Sequence, residues 1–270
     1  MKRVKTERFI EQIMTGSLPC KFECSDGETY YIKHIGNNRL HVINELIGSS
    51  LLQLLAVPAP EIALVEVVSE TIEGVRFDGK PPQGVAFGSR QLMGQSKSLD
   101  RADLYQGQEM RKFAASQALI GIVLFDIWVY NIDRAPHNPN ILVEEIGKNS
   151  FRLVAIDHAV IFEDKEYIDL GSSRNSFPPT IEESLISHPL FRDVHDALGL
   201  FSSDEADRVL CKIESIREDE LRDILNVIPN EWEVKDTEKE SIIKHYLLPR
   251  KDLVRGFYQQ LLVDARIKIL

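Results

Sequence analysis

The chain lacks any apolar run long enough to cross a bilayer. The longest, Ala118 to Tyr130, is short and interrupted by Asp126, so it reads as a core helix. The first residues, MKRVKTERFIEQ, are polar and amphipathic and carry no signal-peptide pattern, which makes a cytoplasmic protein the simplest reading. Cysteine is scarce: Cys20 and Cys24 share one face of an alternating strand and Cys211 stands alone in a helical pattern. No second compact ligand pair accompanies them, so zinc is not indicated and ordinary buried thiols are expected. Positive charge is also in deficit. Lys+Arg number 32 against 42 Asp+Glu, a formal net charge of −10. That balance argues against broad phosphate-backbone binding, so no direct nucleic-acid partner is expected. No basic amphipathic surface suited to a membrane is evident. A Walker A loop, a G-x-G-x-x-G fingerprint, an internal repeat, a low-complexity tract and a long linker are all missing.

What is present is an ordinary globular composition, 43% hydrophobic and 27% charged over 270 residues, enough for one large domain or a two-lobed one. Residues 20–24 and 28–35 alternate as two strands around Ser25-Asp26-Gly27, a hairpin turn signal. The second strand ends with Lys33 on the face of Thr29 and Tyr31. A helix follows from about Leu40 to Leu55 with a 3.6-residue apolar stripe, and Glu45 sits at the stripe's edge, able to look back toward the sheet. Pro58 and Pro60 end it, and Glu61 to Val68 reads as a third strand. A strand lysine followed by a helix glutamate suits the ion pair that positions nucleotide phosphates, although a strand-end lysine alone is most often a solvated charge. Before the first of these strands, Thr15-Gly16-Ser17-Leu18-Pro19 is a small-residue turn whose N–H groups could approach phosphate oxygens; a plain turn is the commoner meaning. Gly84 to Gly94 surrounds an apolar strand-like core with glycines. It suits either a crossing between lobes, where backbone near Gln91 and Met93 would meet an adenine, or an edge strand of a hairpin.

The richest stretch is NIDRAPHNPNILVEEIGKNSFRLVAID, residues 131–157. Asp133 opens a polar loop stiffened by Pro136 and Pro139, Asn138 stands five residues later, and two apolar strands, 141–145 and 151–156, flank Gly147-Lys148-Asn149 and deliver Asp157. An acid, an amide and a second acid at a strand end form the set phosphoryl transfer uses. One carboxylate orients the attacking hydroxyl, while the amide and the other carboxylate hold Mg²⁺. Arg134 either braces a loop carboxylate or touches a phosphate, with bracing favoured. His137 and His158 lie near these residues, but Mg²⁺ prefers oxygen, so packing or hydrogen bonding suits them better. Trp128 and Trp232 read as core aromatics. From 101 to 130 and from 181 onward the patterns are helical, with caps at 202–205 and 236–238; the loop Gly171 to Thr180 is rich in Gly, Ser and Pro.

The runs GSLPCKFECSDGETYYIKH, NELIGSSLLQLLAVPAPEIALVEV, FGSR, NIDRAPHNPNILV, LVAIDHAVIF and IPNEW together resemble the HipA-like kinases over residues 15 to 260, and the Asp-Arg loop and Ile-Asp strand end are similar to those of phosphoinositide kinases. The resemblance implies an α+β, two-lobed protein-kinase-like fold: a small antiparallel-sheet lobe with one helix over residues 1–92 and a mainly helical catalytic lobe over 93–270. It implies an ATP- and Mg²⁺-dependent kinase that phosphorylates a hydroxyl, Ser or Thr of a protein partner. Lys33 and Glu45 would serve the ATP phosphates, with Gly16, Ser17, Gln91 and Met93 as further nucleotide contacts. Asp133 would be the catalytic base, and Asn138 and Asp157 the Mg²⁺ ligands, with Asn140 capping or bracing the loop. Some members act as toxins, so an antitoxin or other regulatory partner belongs among the expectations. Two other classes stay open: a small-molecule or lipid kinase, and a nucleotide-binding module without turnover that acts by binding a partner. The His-Arg-Asp and Asp-Phe-Gly tripeptides of eukaryotic-type protein kinases are absent, and the chain is shorter than the full-length toxins.

Overall fold

The computed structural model describes residues 1–93, 96–98, 117–147, 150–172, 175–176, 185 and 203–264. The expected helix over 101–116, the 148–149 turn, Ser202 and most of the 171–180 loop lie outside the described residues. Five strands build the N-terminal part: β1 (Lys2–Gln12), β2 (Cys20–Cys24), β3 (Thr29–Lys33), β4 (Ile62–Glu66) and β5 (Val85–Arg90). They close into a barrel in the order β1-β2-β3-β5-β4, which corrects the expectation of a small antiparallel sheet.

The strand that closes the barrel is β1, whose polar sequence gave no strand signal. It runs antiparallel to β2 but parallel to β4, with Lys2 opposite Ala63 and Val4 opposite Val65. Val4 and Thr6 point into the barrel while Lys5 between them and the charged residues on either side face water, so the strand looks polar although it contributes to the barrel interior. Closure leaves no sheet edge exposed there to pair with another chain. Phe22, Cys24, Tyr30, Ile32, Val65 and Ala86 fill the interior.

Outside the barrel lies α1 (Arg39–Leu55), started by Asn38, whose Oδ1 accepts the His41 N–H at 3.2 Å, and ended by Ala56 in the left-handed region ahead of Pro58. Val42, Ile43, Leu46, Ile47, Leu51 and Leu52 are buried, and burying each such side chain contributes about 1.5–3 kcal/mol. They join Leu64 and Phe87 on the barrel's outer face to α2 (Gln117–Val129) and the C-terminal helices in one continuous core. Helix α2 is apolar all round because it is surrounded, and it abuts a three-stranded sheet of β6 (Ser96–Ser98), β7 (Ile141–Gly147) and β8 (Ser150–Ala155).

The C-terminal part is helical: Ser203–Ser215, Glu218–Asn226, Asp236–Glu240, Leu248–Lys251 and Val254–Asp264. At Asp236 the expected cap is made by Glu238, whose Oε2 accepts the Lys235 N–H at 2.7 Å. A π-helical stretch, Ser241–Leu247, precedes Pro249, which has no N–H to donate and so tolerates the widened turn. Trp128 and Trp232 are fully buried, as expected of core aromatics.

The cysteines divide. Cys20 and Cys24 are buried in the barrel, where burial pushes their thiols up to about 11 and about 12, whereas Cys211 is exposed, contrary to the expectation of a buried thiol. Alkylation needs the thiolate. Iodoacetamide at pH 8 is therefore expected to label Cys211 alone, with Cys20 and Cys24 reacting only after denaturation. Peptide mapping showing native labelling of the two barrel cysteines would contradict the closed barrel.

Candidate active site

Lys33 is the last residue of β3, on the outward face of the barrel, and α1 lies against that face. Its ammonium forms an ion pair with the buried Glu45 carboxylate and a second with Asp157, Nζ to Oδ1 at 3.0 Å. Glu45 is held from the other side as well, since its Oε2 accepts the His158 N–H at 3.0 Å. The neighbouring Asn44 repeats the arrangement: its Nδ2 donates to the Ala159 carbonyl at 2.8 Å and its Oδ1 accepts from the Tyr167 hydroxyl at 2.7 Å. One turn of α1 thereby fixes the backbone that follows Asp157. Contact is close enough that a Cβ on Gly48 would lie 2.6 Å from the His158 Cβ, so only glycine fits there.

These charges are coupled. Burial would raise the Asp157 carboxyl, but the Lys33 ammonium outweighs it and holds the group down at about 2. Glu45 is more deeply enclosed, and burial pushes it up to about 7 against the pull of Lys33. Lys33 loses hydration, yet the two carboxylates keep it firmly protonated. Asp157 also has a left-handed backbone, φ 54°, a conformation that costs a non-glycine residue of order 1–3 kcal/mol and persists where surrounding contacts enforce it.

The loop after α2 carries the other acid. Asn131 Oδ1 accepts the Asp133 N–H at 3.1 Å, and the Asp133 carboxylate accepts from Asn138 Nδ2 at 3.0 Å and Asn140 Nδ2 at 2.9 Å. With its amide nitrogen so engaged, Asn138 has its carbonyl oxygen left for other partners. Arg134 points the opposite way, into the protein, and is 1% exposed. Its guanidinium meets Asp126 Oδ2 at 2.9 Å and donates to the carbonyls of Pro139 at 3.1 Å and Ile156 at 3.2 Å and to His158 Nδ1 at 3.0 Å. Arginine cannot accept, so His158 Nδ1 is the acceptor and its proton sits on Nε2. Burial and the Arg134 charge keep His158 neutral, well below its ordinary value. Arg134 therefore braces, joining the Asp133 loop to the strand end that presents Asp157. His137 is exposed.

Lys33, Glu45, Asp133, Asn138, Asn140 and Asp157 line one cavity of about 740 Å³, a size suited to a small-molecule ligand. Gly16, Ser17 and Gln91 line it too, so all but one of the residues singled out from sequence converge. Met93 is the exception: it is 80% exposed and does not contribute to the wall. Segment 84–93 supplies β5, which lies between β3 and β4 and is therefore not a hairpin edge, and beyond it Gln91 and Leu92 carry the chain out along the cavity toward β6 of the second sheet. Apolar walls come from Ile13, Tyr31, Phe87, Leu142 and Ile156, which sequence reasoning missed; alternation in β3 could have found Tyr31, which shares the Lys33 face. Asn44 and Gly48 were also missed, because their partners lie more than a hundred residues away.

Among the described residues no cluster of three or more His, Cys, Asp or Glu side chains could hold a metal by itself. One carboxylate and one amide oxygen fit Mg²⁺ nonetheless, since that ion commonly takes one or two protein oxygens and completes its shell with substrate phosphates and water. No described helix is long and apolar enough to cross a membrane.

Removing Arg134 would leave the Asp126 carboxylate buried without its cation. Arg134→Ala is expected to cost about 3–5 kcal/mol in urea unfolding, whereas Arg134→Met combined with Asp126→Leu should recover much of that loss. A cost below about 1 kcal/mol for the single variant would contradict the bracing role, being the value of an exposed pair. The charge on Asp157 gives a second test. Its folded-state carboxyl lies below the ordinary 3.8, so its stabilising contribution is complete above that pH and is lost as pH falls toward 2. Asp157→Asn is expected to flatten the stability profile over that window, measured by denaturant unfolding from pH 5 to 2.

No curated protein matches the chain. The crystal structure of a Helicobacter pylori proinflammatory kinase, CtkA, matches with a TM-score of 0.57 at 12% identity, covering 98% of this chain and 99% of that one, which shows a kinase fold. A chain of the Shewanella oneidensis MR-1 toxin–antitoxin complex of HipA, HipB and operator DNA matches at TM-score 0.49 and 14% identity, over 94% of this chain and 67% of that one. The FAT and kinase domain of CtTel1 matches at TM-score 0.39 and 15% identity, over 96% of this chain and 22% of that one; both likenesses are too distant to carry an argument. The family model for HipA-like kinases matches residues 4–254. With that match over nearly its whole length, the chain belongs to the HipA-like kinase family.

Proposed function

We propose that this kinase transfers the γ-phosphate of ATP, with Mg²⁺, to a hydroxyl, that of a serine or threonine on a protein partner. The observation that carries the reading is the Lys33 ammonium bonded to both Glu45 and Asp157 in the cavity that also holds Asp133 and Asn138. Residues 1–92 serve as the nucleotide lobe and 93–270 as the catalytic lobe in this proposal.

Each role follows from the chemistry of the group. Lys33 binds phosphate oxygens, and Glu45, too buried to reach solvent, fixes the direction in which the ammonium points. Gly16 and Ser17, at the turn before β2, offer backbone N–H groups to the nucleotide, and Gln91 sits where β5 leaves the barrel. Asp133 orients the attacking hydroxyl and takes its proton. Its two asparagine partners hold the carboxylate in one orientation, which shortens the search for a productive geometry. Asn138 and Asp157 would hold Mg²⁺, which when bound with ATP offsets the charge on the phosphate oxygens. Asp157 stays ionised under all ordinary conditions, as a ligand to a hard cation must. An acceptor on a protein is favoured over a lipid by the net charge of −10, which suits no anionic membrane surface.

Asp133→Ala is expected to lower ATP turnover by about 10²–10⁴-fold while leaving nucleotide affinity near that of the wild type. Asp157→Asn should weaken ATP binding in the presence of Mg²⁺ and leave metal-free binding little changed. Steady-state ADP release and calorimetric titration measure the two effects. Equal turnover by the wild type and Asp133→Ala would remove Asp133 from the mechanism, and metal-independent losses in Asp157→Asn would remove Asp157 from the metal site.

A further inference from the structure

We infer that Glu231 and Trp232 of the Ile228–Trp232 segment are positioning residues for the Lys33–Glu45 pair, acting as a clasp on the end of β5 and the start of α1. The inference rests on the phosphotransfer reading above and adds to it a device outside the cavity.

The argument starts from the ladder between β3 and β5. Lys33 pairs with Phe87 and Tyr31 with Ser89, while the Gln91 N–H donates to the Thr29 carbonyl. Backbone groups of odd-numbered residues in β5 therefore face β3, and those of even-numbered residues face β4, as the Val67 N–H to Gly84 carbonyl and Arg90 N–H to Glu61 carbonyl bonds show. The next ladder position after Phe87 is Val85, but β3 has ended at Lys33 and offers no partner. Two side chains from the far end of the chain take the vacated bonds. Glu231 Oε1 accepts the Val85 N–H at 2.9 Å, and Trp232 Nε1 donates to the Val85 carbonyl at 2.9 Å. The β3–β5 ladder is thus continued, one step past Lys33, by a short helical turn, Asn230–Trp232, of the C-terminal part.

The same turn also holds α1. Arg39, the first residue of that helix, donates to the Trp232 carbonyl at 2.7 Å and to the Glu233 carbonyl at 2.6 Å. Trp232 is fully buried, so its backbone and ring cannot shift independently. One rigid turn therefore sets the strand partner of Lys33 and, through Arg39, the helix that bears Glu45. An error in either element would misalign the ammonium, and a misplacement of about 1 Å far from the chemistry can cost on the order of a hundredfold in rate.

The test is a double-mutant cycle read as kcat and KM for ADP release from Mg·ATP, using the full chain. Trp232→Phe keeps an aromatic ring in the core but loses the indole N–H together with the carbons of the five-membered ring; it is expected to lower kcat about tenfold with a smaller change in KM for Mg·ATP. Introduced into Glu45→Gln, it should have little further effect, because the pair it positions is already broken. The exposed Glu231 supplies variants that leave the core intact: Glu231→Gln, which keeps the accepting oxygen, should match the wild type, and Glu231→Ala should follow Trp232→Phe. Equal fold-losses of kcat from Trp232→Phe in both backgrounds, or Glu231→Gln and Glu231→Ala behaving alike, would overturn the clasp while leaving phosphotransfer standing. A wild type without ADP release would overturn the phosphotransfer reading, and the inference with it.

Discussion

One ammonium group ties the barrel to the rest of the molecule at the point where chemistry is proposed. Lys33 ends a barrel strand, Glu45 belongs to the helix packed outside the barrel, and Asp157 follows a strand of the second sheet, yet all three meet at Lys33 Nζ. Two buried carboxylates this close would repel each other, and burial alone would neutralise both. The lysine reverses that for Asp157 and only partly for Glu45, which is why one carboxyl sits near 2 and the other near 7. A site whose charge balance depends on one cation is poised to accept anionic phosphate only if that cation is held in place, and most of the surrounding contacts serve that end.

A second buried cation does the corresponding work for the loop. Arg134 collects backbone carbonyls from Pro139 and Ile156, a carboxylate from Asp126 and a ring nitrogen from His158. The loop of Asp133 and the strand end of Asp157 are thus fixed relative to each other by hydrogen bonds in a dry environment, where such bonds are strongest and a missing partner is most costly. Lys33 joins the carboxylates of Glu45 and Asp157 from the cavity side, and Arg134 joins the backbones of the Asp133 loop and the Asp157 strand end from the protein interior.

The sequence made legible those features that depend on spacing along one element or loop. Lys33 at a strand end, Glu45 on the edge of a helical stripe, and Asp133, Asn138 and Asp157 around a hairpin are local patterns, and the structure brings them to one cavity. Barrel closure was hidden because β1 shows water mostly charged side chains and its partner β4 lies about sixty residues on, in a parallel pairing that no turn announces. Gly48 is an ordinary helical glycine until the His158 side chain is known to press on it. Alternation marked the 84–94 strand but not where it leaves the barrel, so Gln91 and Met93 looked equivalent although only Gln91 reaches the cavity. Trp232 read as a core aromatic, and it is one; that its indole N–H also finishes a strand ladder depends on where β3 stops. An Asp-Arg pair likewise announces two charges without telling which one faces water and which the core.

The central claim is that the lysine held by Glu45 and Asp157 is the phosphate-binding group of an ATP site. Affinity labelling with a lysine-reactive acyl-phosphate derivative of ATP, followed by peptide mapping, tests it most directly. The account predicts modification of Lys33, suppressed by prior addition of Mg·ATP and diminished in Asp157→Asn. Labelling confined to other lysines, or labelling of Lys33 that Mg·ATP does not suppress, would contradict it.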